Sequence, residues 1–252
     1  MKGTNIGFKT KISQLWMLIR KNLELYYKKG PVIIFGFIFP FFMTMAWVIG
    51  RSIDPVQLFS GILGMTTFFT GTAISPVIFP WETREKDLER ILSAPVKLSD
   101  LIISITLAST LFSFIVSTII STVLIFVLSI NIWVIGWVLM GNLLLAWISS
   151  SLGVLISSPP TDLTADIMMI ANLVKFPLIF ISGIFIPLSL LPQAFVILSF
   201  ISPITYFVDL LTSSLGTGFI GISIDVIVMV SLAIMIHLLA HLLHRKTLLK
   251  RF

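Results

Sequence analysis

Three histidines, His237, His241 and His244, stand four and then three residues apart near the carboxyl end of the chain. That spacing brings all three onto one face of a helix. A zinc centre takes three or four converging ligands, and neither thiolate nor carboxylate accompanies these; the chain has no cysteine. They read as interfacial side chains at the rim of a membrane helix, and no metal site is expected. The missing cysteines also exclude a disulfide framework and thiol chemistry. Lys175 is the second candidate. It lies inside an apolar run, where an ionisable group is costly and marks function. It fits a translocation path or a subunit seam, and equally a long stem snorkelling towards the polar start of its helix, near Asp162 and Asp166. Asp225, near the outer end of the last apolar run, reads as interfacial.

The third candidate is a charged island, residues 81–96, set between two long apolar runs. Glu82, Arg84, Glu85, Lys86, Asp87, Glu89 and Arg90 crowd its first half, and Leu88, Ile91 and Leu92 follow at helical spacing. The pattern predicts a short amphipathic helix over 82–94, stopped because Pro95 turns Ala94 away from helical geometry. A helix this short is marginal alone and must dock on something. Two readings are open: a solvated loop between spans, or a handle gripped by a partner.

Lipid decides the elements that carry these groups. The chain has 252 residues of which 11% are charged, and its mean hydropathy is +1.07. A water-soluble fold of that composition would expose far too much apolar surface. The expected fold is therefore an all-α integral membrane protein of six spans, since a crossing takes about 20 apolar residues. The spans are placed at 31–50, 56–80, 101–130, 132–157, 163–186 and 222–243. The region from 101 to 161 has no charged side chain and is about three times one crossing, so it must fold back, with Ser129, Asn131 and Trp133 at the turn. Pro40 is expected to kink the first span, and Pro76 and Pro80 to disturb the end of the second. Ser99 or Asp100 is expected to cap a helix beginning at Leu101. Residues 6–29 place Ile12, Leu15, Trp16, Ile19 and Leu23 at helical steps among lysines, as a basic helix lying in the lipid headgroup layer does. Residues 187–205 stay apolar but are cut by prolines, a pattern that predicts a re-entrant segment in place of a crossing.

Orientation follows from charge. Of 17 Lys and Arg, seven precede Pro31, four lie between Arg84 and Lys97, and four follow His244. With both termini cytoplasmic, all 15 of these fall on the inner face of the plasma membrane. The net charge of +6 is then explained by anionic lipid and calls for no nucleic acid. A cleavable signal peptide is not expected, since the basic first 30 residues hold no early apolar core.

The island is similar to the cytoplasmic coupling segment of type-2 ABC exporter permeases, in which an acidic–basic run enters Leu-Glu-x-Leu-Leu-x-x-Pro. Glu82, Arg84, Glu85, Leu88, Glu89, Ile91, Leu92 and Pro95 carry the match, while Lys86 and Asp87 stand where the family usually has Gly-Thr. A second match lies near the other end. Ser182-Gly183-Ile184-Phe185-Ile186-Pro187, then Leu191-Pro192, then Ser202-Pro203-Ile204-Thr205-Tyr206 and Asp209 resemble the family's carboxyl-terminal signature, with Ser202 for Asn and Thr212 for an Arg.

The resemblance implies a permease that pairs with a second permease subunit, as a homo- or heterodimer, and with cytoplasmic ATPase subunits. Glu82, Arg84, Glu85, Leu88, Glu89, Leu92 and Pro95 are then the expected docking surface for the ATPase. Gly183, Pro187, Pro192 and Pro203 would shape an external re-entrant hairpin. The chain itself is expected to be no enzyme: it has no Gly-x-x-x-x-Gly-Lys-Ser/Thr loop to cradle phosphates, so ATP and magnesium belong to the partner. An amphipathic or lipid-like substrate suits a path of apolar and small polar residues. An ATP-independent transporter or channel is the alternative, although such proteins commonly need several intramembrane ionisable groups. A membrane-embedded enzyme is weaker still, because no paired carboxylates fall at membrane depth.

Overall fold

The computed structural model describes residues 8–26, 29–94 and 96–247. Every regular element among them is helical: α1 (Phe8–Tyr26), α2 (Gly30–Ile33), α3 (Phe39–Val48), α4 (Pro55–Gly71), α5 (Ile78–Arg84), α6 (Asp87–Ser93), α7 (Leu98–Val127), α8 (Ile135–Ile156), α9 (Thr164–Phe180), α10 (Gln193–Ser199), α11 (Pro203–Ser214) and α12 (Ile222–Thr247). Helices satisfy their main-chain groups internally, as lipid requires. α7, α8 with its leading 3-10 turn, and α12 are each long and apolar enough to cross a membrane. Their outward faces are apolar, with Ile119, Phe126, Leu143, Ile227 and Leu238 exposed. The inside holds many small hydroxyls. Ser113 Oγ donates to Thr67 O at 2.8 Å, and Thr70 Oγ1 donates to Ser113 Oγ at 2.9 Å, tying α7 to α4.

The apolar runs are more broken than their length suggests. A π-helical turn, Ile34–Ile38, separates α2 from α3. Pro40 has no N–H for the carbonyl of Gly36 and its ring would collide there, and the widened turn absorbs the conflict. The second run ends at Gly71; residues 72–77 are a string of turns before α5. Thr72 Oγ1 and Ser75 Oγ bond back to Phe68 O (2.7 Å) and Gly71 O (3.0 Å), and Pro76 cannot donate at all. Pro80, by contrast, is the third residue of α5, where its missing N–H had no helical partner to lose. α7 begins three residues ahead of Leu101, with Asp100 accepting from the Lys97 N–H at 3.2 Å. The turn at the far end of α7 falls where expected: Ser129 has φ +52°, and Asn131 Oδ1 accepts from Trp133 N–H at 3.1 Å. α9 stops at Phe180, short of residue 186.

α4 and α8 approach closely through small residues. A methyl placed on Gly71 would fall 2.0 Å from Ser149 Oγ, and one on Gly153 would fall 1.9 Å from Ser75 Oγ. Two reciprocal Gly–Ser contacts, one from α4 and one from the turns that follow it, thus hold this segment against α8, a small-residue interface typical of membrane helices.

Candidate functional site

The charged island folds as two short helices, not one. Lys86 sits between α5 and α6 with φ +59°, a left-handed conformation that suits the glycine usual at this place in the resembling family. The break lets both helices fold their apolar sides inward. Leu88 is 1% exposed and packs with Ile74, Phe79, Leu101 and Ile105, with Leu92 half-buried beside them. Glu82 is also 1% exposed. Both residues were expected on the docking face, and both point into the bundle. Arg84, Glu85 and Glu89 remain on the surface, joined by Lys86 and Arg90. Pro95 lies outside the described residues.

Glu82 is turned inward by α1. Lys21 Nζ pairs with Glu82 Oε1, and Lys29 Nζ lies 4.5 Å above the Trp81 ring. α1 also runs along α7, where Asn22 Nδ2 donates to Ser104 Oγ at 3.5 Å and Lys11 stands 3.9 Å from Asp100. Ile12 and Trp16 stay exposed on the same helix. α1 therefore braces the island on one side and offers apolar side chains on another. The exposed Arg20–Glu24 pair at 2.7 Å raises the Arg20 guanidinium pKa through that hydrogen bond, and such surface pairs contribute little.

At the opposite end of the bundle lie the Ser-Gly turn and the proline-cut segment. Gly183 has φ +79°. Gln57, near the start of α4, donates through Nε2 to both Gly183 O (2.7 Å) and Ile184 O (2.6 Å). Pro187 precedes the 3-10 turn Leu188–Leu190, Pro192 stands at the N-cap of α10, and Pro203 is the first residue of α11. α10 and α11 meet at 104°. The residues of the Ser-Pro-Ile-Thr-Tyr run make that bend. Ser202 Oγ accepts from Ile204 N–H at 3.3 Å and donates to Leu178 O at 2.8 Å. Thr205 Oγ1 and Tyr206 Oη reach back to the carbonyls of Ser199 (2.6 Å) and Phe200 (2.9 Å), which α10 leaves open. Serine caps as asparagine does, so Ser202 is a conservative departure.

Thr212 is not conservative. Where the resembling family has an Arg, Thr212 bonds to its own helix at Val208 O and Asp209 O. Asp209, 3% exposed, takes main-chain donors: Phe219 N–H at 2.7 Å, Ile220 N–H at 2.7 Å and Gly221 N–H at 3.2 Å, with the Ser213 hydroxyl at 3.2 Å. These bonds fix the loop that leads into α12. Asp209, Gln57, Gly183 and Asp54 line one cavity of about 300 Å³.

Lys175 is fully buried within the chain, its Nζ 5.7 Å from the centroid of the Phe69 ring. It does not snorkel to lipid. Asp225, in the first turn of α12, is likewise fully buried within the chain. The histidines are used between helices. His237 Nδ1 lies 3.4 Å from Ser151 Oγ, and His244 stacks on Phe79 at 4.2 Å while its Nε2 lies 2.8 Å from Val154 O. No group of three or more His, Asp or Glu side chains able to hold a metal forms among the described residues.

The inward turn of Glu82, the Gln57 clamp and the cradle of Asp209 are what sequence reasoning missed. Gln57 had a signal, as the one side-chain amide in an apolar run without charge. Glu82 had none, because its partner lies 61 positions away.

No curated protein sequence matches the chain. The family model described as ABC-2 type transporter matches residues 13–215, which takes in most of α1, the island, the Ser-Gly turn and the bent α10–α11 pair. The chain is a multi-pass membrane protein and belongs to the ABC-2 type transporter family.

Proposed function

We propose that the chain is the membrane-spanning permease subunit of an ATP-driven exporter, and that a separate cytoplasmic ATPase docks on the exposed face of α5 and α6. One observation carries the reading. The island is anchored from within by Leu88 and Glu82 while Arg84, Glu85 and Glu89 stay exposed. A solvated loop has no need of buried anchors; a lever must be fixed to what it moves. Of the expected docking residues, Arg84, Glu85 and Glu89 would touch the ATPase, and Glu82, Leu88 and Leu92 would hold the lever to the bundle.

Six crossings complete the scheme: α2 with α3, then α4, α7, α8, α9 and α12. Both termini and the island then share the cytoplasmic side with 15 of the 17 basic residues. The α10–α11 pair becomes an external re-entrant hairpin. The ATPase supplies ATP and magnesium chemistry, a second permease subunit completes the path, and an amphipathic, lipid-like cargo suits the apolar and hydroxyl-lined interior. The buried Lys175 would face a path only if the bundle opens.

The test is charge reversal at Glu85 and Glu89 together. Membrane insertion should be normal, while the ABC ATPase that co-purifies with the tagged chain should be lost. Unchanged recovery of the ATPase would end the docking assignment.

A further inference from the structure

The α5–α6 segment has no continuous helix leading into the bundle. Residues 72–77 separate it from α4, and Ala94, Val96 and Lys97 are non-helical ahead of α7. Hydrogen-bond ladders therefore cannot carry its displacement onward, and side-chain contacts must. Lys21 leads from Glu82 back to the amino-terminal helix, and Lys29, just ahead of α2, covers Trp81. Phe79 leads elsewhere. Its ring stacks on His244 of α12, with centroids 4.2 Å apart and planes 26° from parallel, and both side chains are buried.

His244 is bonded in turn to α8. Val154 O can only accept, so His244 Nε2 carries the proton and donates to it at 2.8 Å, with Ser157 Oγ 3.2 Å away. Two turns along, His237 meets Ser151 and packs against Trp147 at 5.4 Å. α8 and α12 are thus cross-bonded over the half nearest the island. At the far end the same two helices hold the bent hairpin. Asp209 of α11 grips residues 219–221, which open α12. Gly141 of α8 lies so close to α11 that an added methyl would stand 3.1 Å from Phe207 and Leu210.

We propose that the Phe79–His244 stack is the joint through which displacement of the coupling segment enters the α8–α12 pair and so reaches the α10–α11 hairpin. This rests on the ATP-driven permease reading. His244 is a positioning residue here. It touches neither nucleotide nor cargo, and it transmits because it stacks on α5 from within α12, which is tied to α8 through Ser151 and His237 as well. Contiguity alone does not establish coupling, so the joint is tested by its effect at the hairpin.

The absence of cysteine allows a clean label. Leu190→Cys places a thiol on an exposed position beside α10. The full complex with its co-purified ATPase, in lipid nanodiscs, is treated with a maleimide with and without ATP plus vanadate, and labelling is followed on this chain's own band. The ratio of the two rates reports hairpin movement. His244→Gln keeps a donor for Val154 O but removes the stack, Phe79→Leu removes it from the other side, and His244→Phe keeps an aromatic stack without the donor. With ATPase recovery and hydrolysis unchanged, the nucleotide-dependent ratio should collapse in His244→Gln and Phe79→Leu and persist in His244→Phe. A ratio in both stack-breaking variants equal to that of the Leu190→Cys parent overturns the joint alone. A parent that binds no ATPase, or shows no nucleotide response, overturns the permease reading and the joint with it.

Discussion

Ser75 and Gly153 occupy one another's space: a single methyl on Gly153 would lie 1.9 Å from Ser75 Oγ and 3.0 Å from Ser75 Cβ. Gly71 and Ser149 repeat the arrangement one turn away. In lipid no hydrophobic force draws helices together, and close packing has to do it. Gly153→Ala should therefore cost about 1–3 kcal/mol as an overpacked contact. Thermal unfolding in detergent should show the loss, and Ser75→Ala in the same chain should recover part of it. Equal stability of Gly153→Ala and the parent would mean that the two segments are not held together there.

Two of the ion pairs on α1 should behave differently. Lys21 and Glu82 meet where Glu82 is 1% exposed, whereas Arg20 and Glu24 are both in solvent. Losing one partner of a buried pair strands the other charge. Glu82→Gln and Lys21→Met should each destabilise, and the double variant should cost less than their sum, with a coupling of about 1–3 kcal/mol. Arg20→Ala should leave stability essentially unchanged. Additive Lys21 and Glu82 variants would show that α1 does not brace the island.

The long apolar runs, the hairpin turn at Ser129 and Asn131, and the proline-cut segment were legible because each depends on local signals: run length, a turn residue, a missing N–H. The island was legible as an amphipathic element but not as two helices. Its division depends on Lys86 accepting a left-handed φ, and no propensity of lysine announces that. The helix of the second run stops earlier than its hydropathy for a related reason. Hydropathy continues past Gly71, yet hydroxyl groups of Thr72 and Ser75 and the ring of Pro76 dismantle the ladder there. Orientation of Glu82 and burial of Lys175 and Asp225 were out of reach, because they are set by partners far along the chain.

Gln57 closes its contact by donating twice, to Gly183 O and Ile184 O, from a site 8% exposed. Gln57→Leu leaves two carbonyls unsatisfied, a loss of about 1–3 kcal/mol. Gln57→Glu should be worse at neutral pH, since a carboxylate has nothing to donate and would face two carbonyl oxygens. Relative thermal stability should fall in the order parent, Gln57→Leu, Gln57→Glu. The reverse order for the two variants would show that the Ser-Gly turn is held by packing alone.

Asp209 accepts from the main-chain N–H groups of Phe219, Ile220 and Gly221. These bonds tie it to the loop that leads into α12, so α11 and the start of α12 are held as one unit. Asp209→Asn keeps the size but turns an N–H₂ group towards some of those donors, and it should cost about 1–3 kcal/mol, as an unsatisfied buried contact does. The loss should be local. Hydrogen exchange at residues 219–221 should accelerate much more than in the middle of α12, whose helical bonds do not involve the carboxylate. Uniform acceleration along α12 would make Asp209 a general stabiliser of the bundle, and no acceleration would mean that the loop is fixed without it.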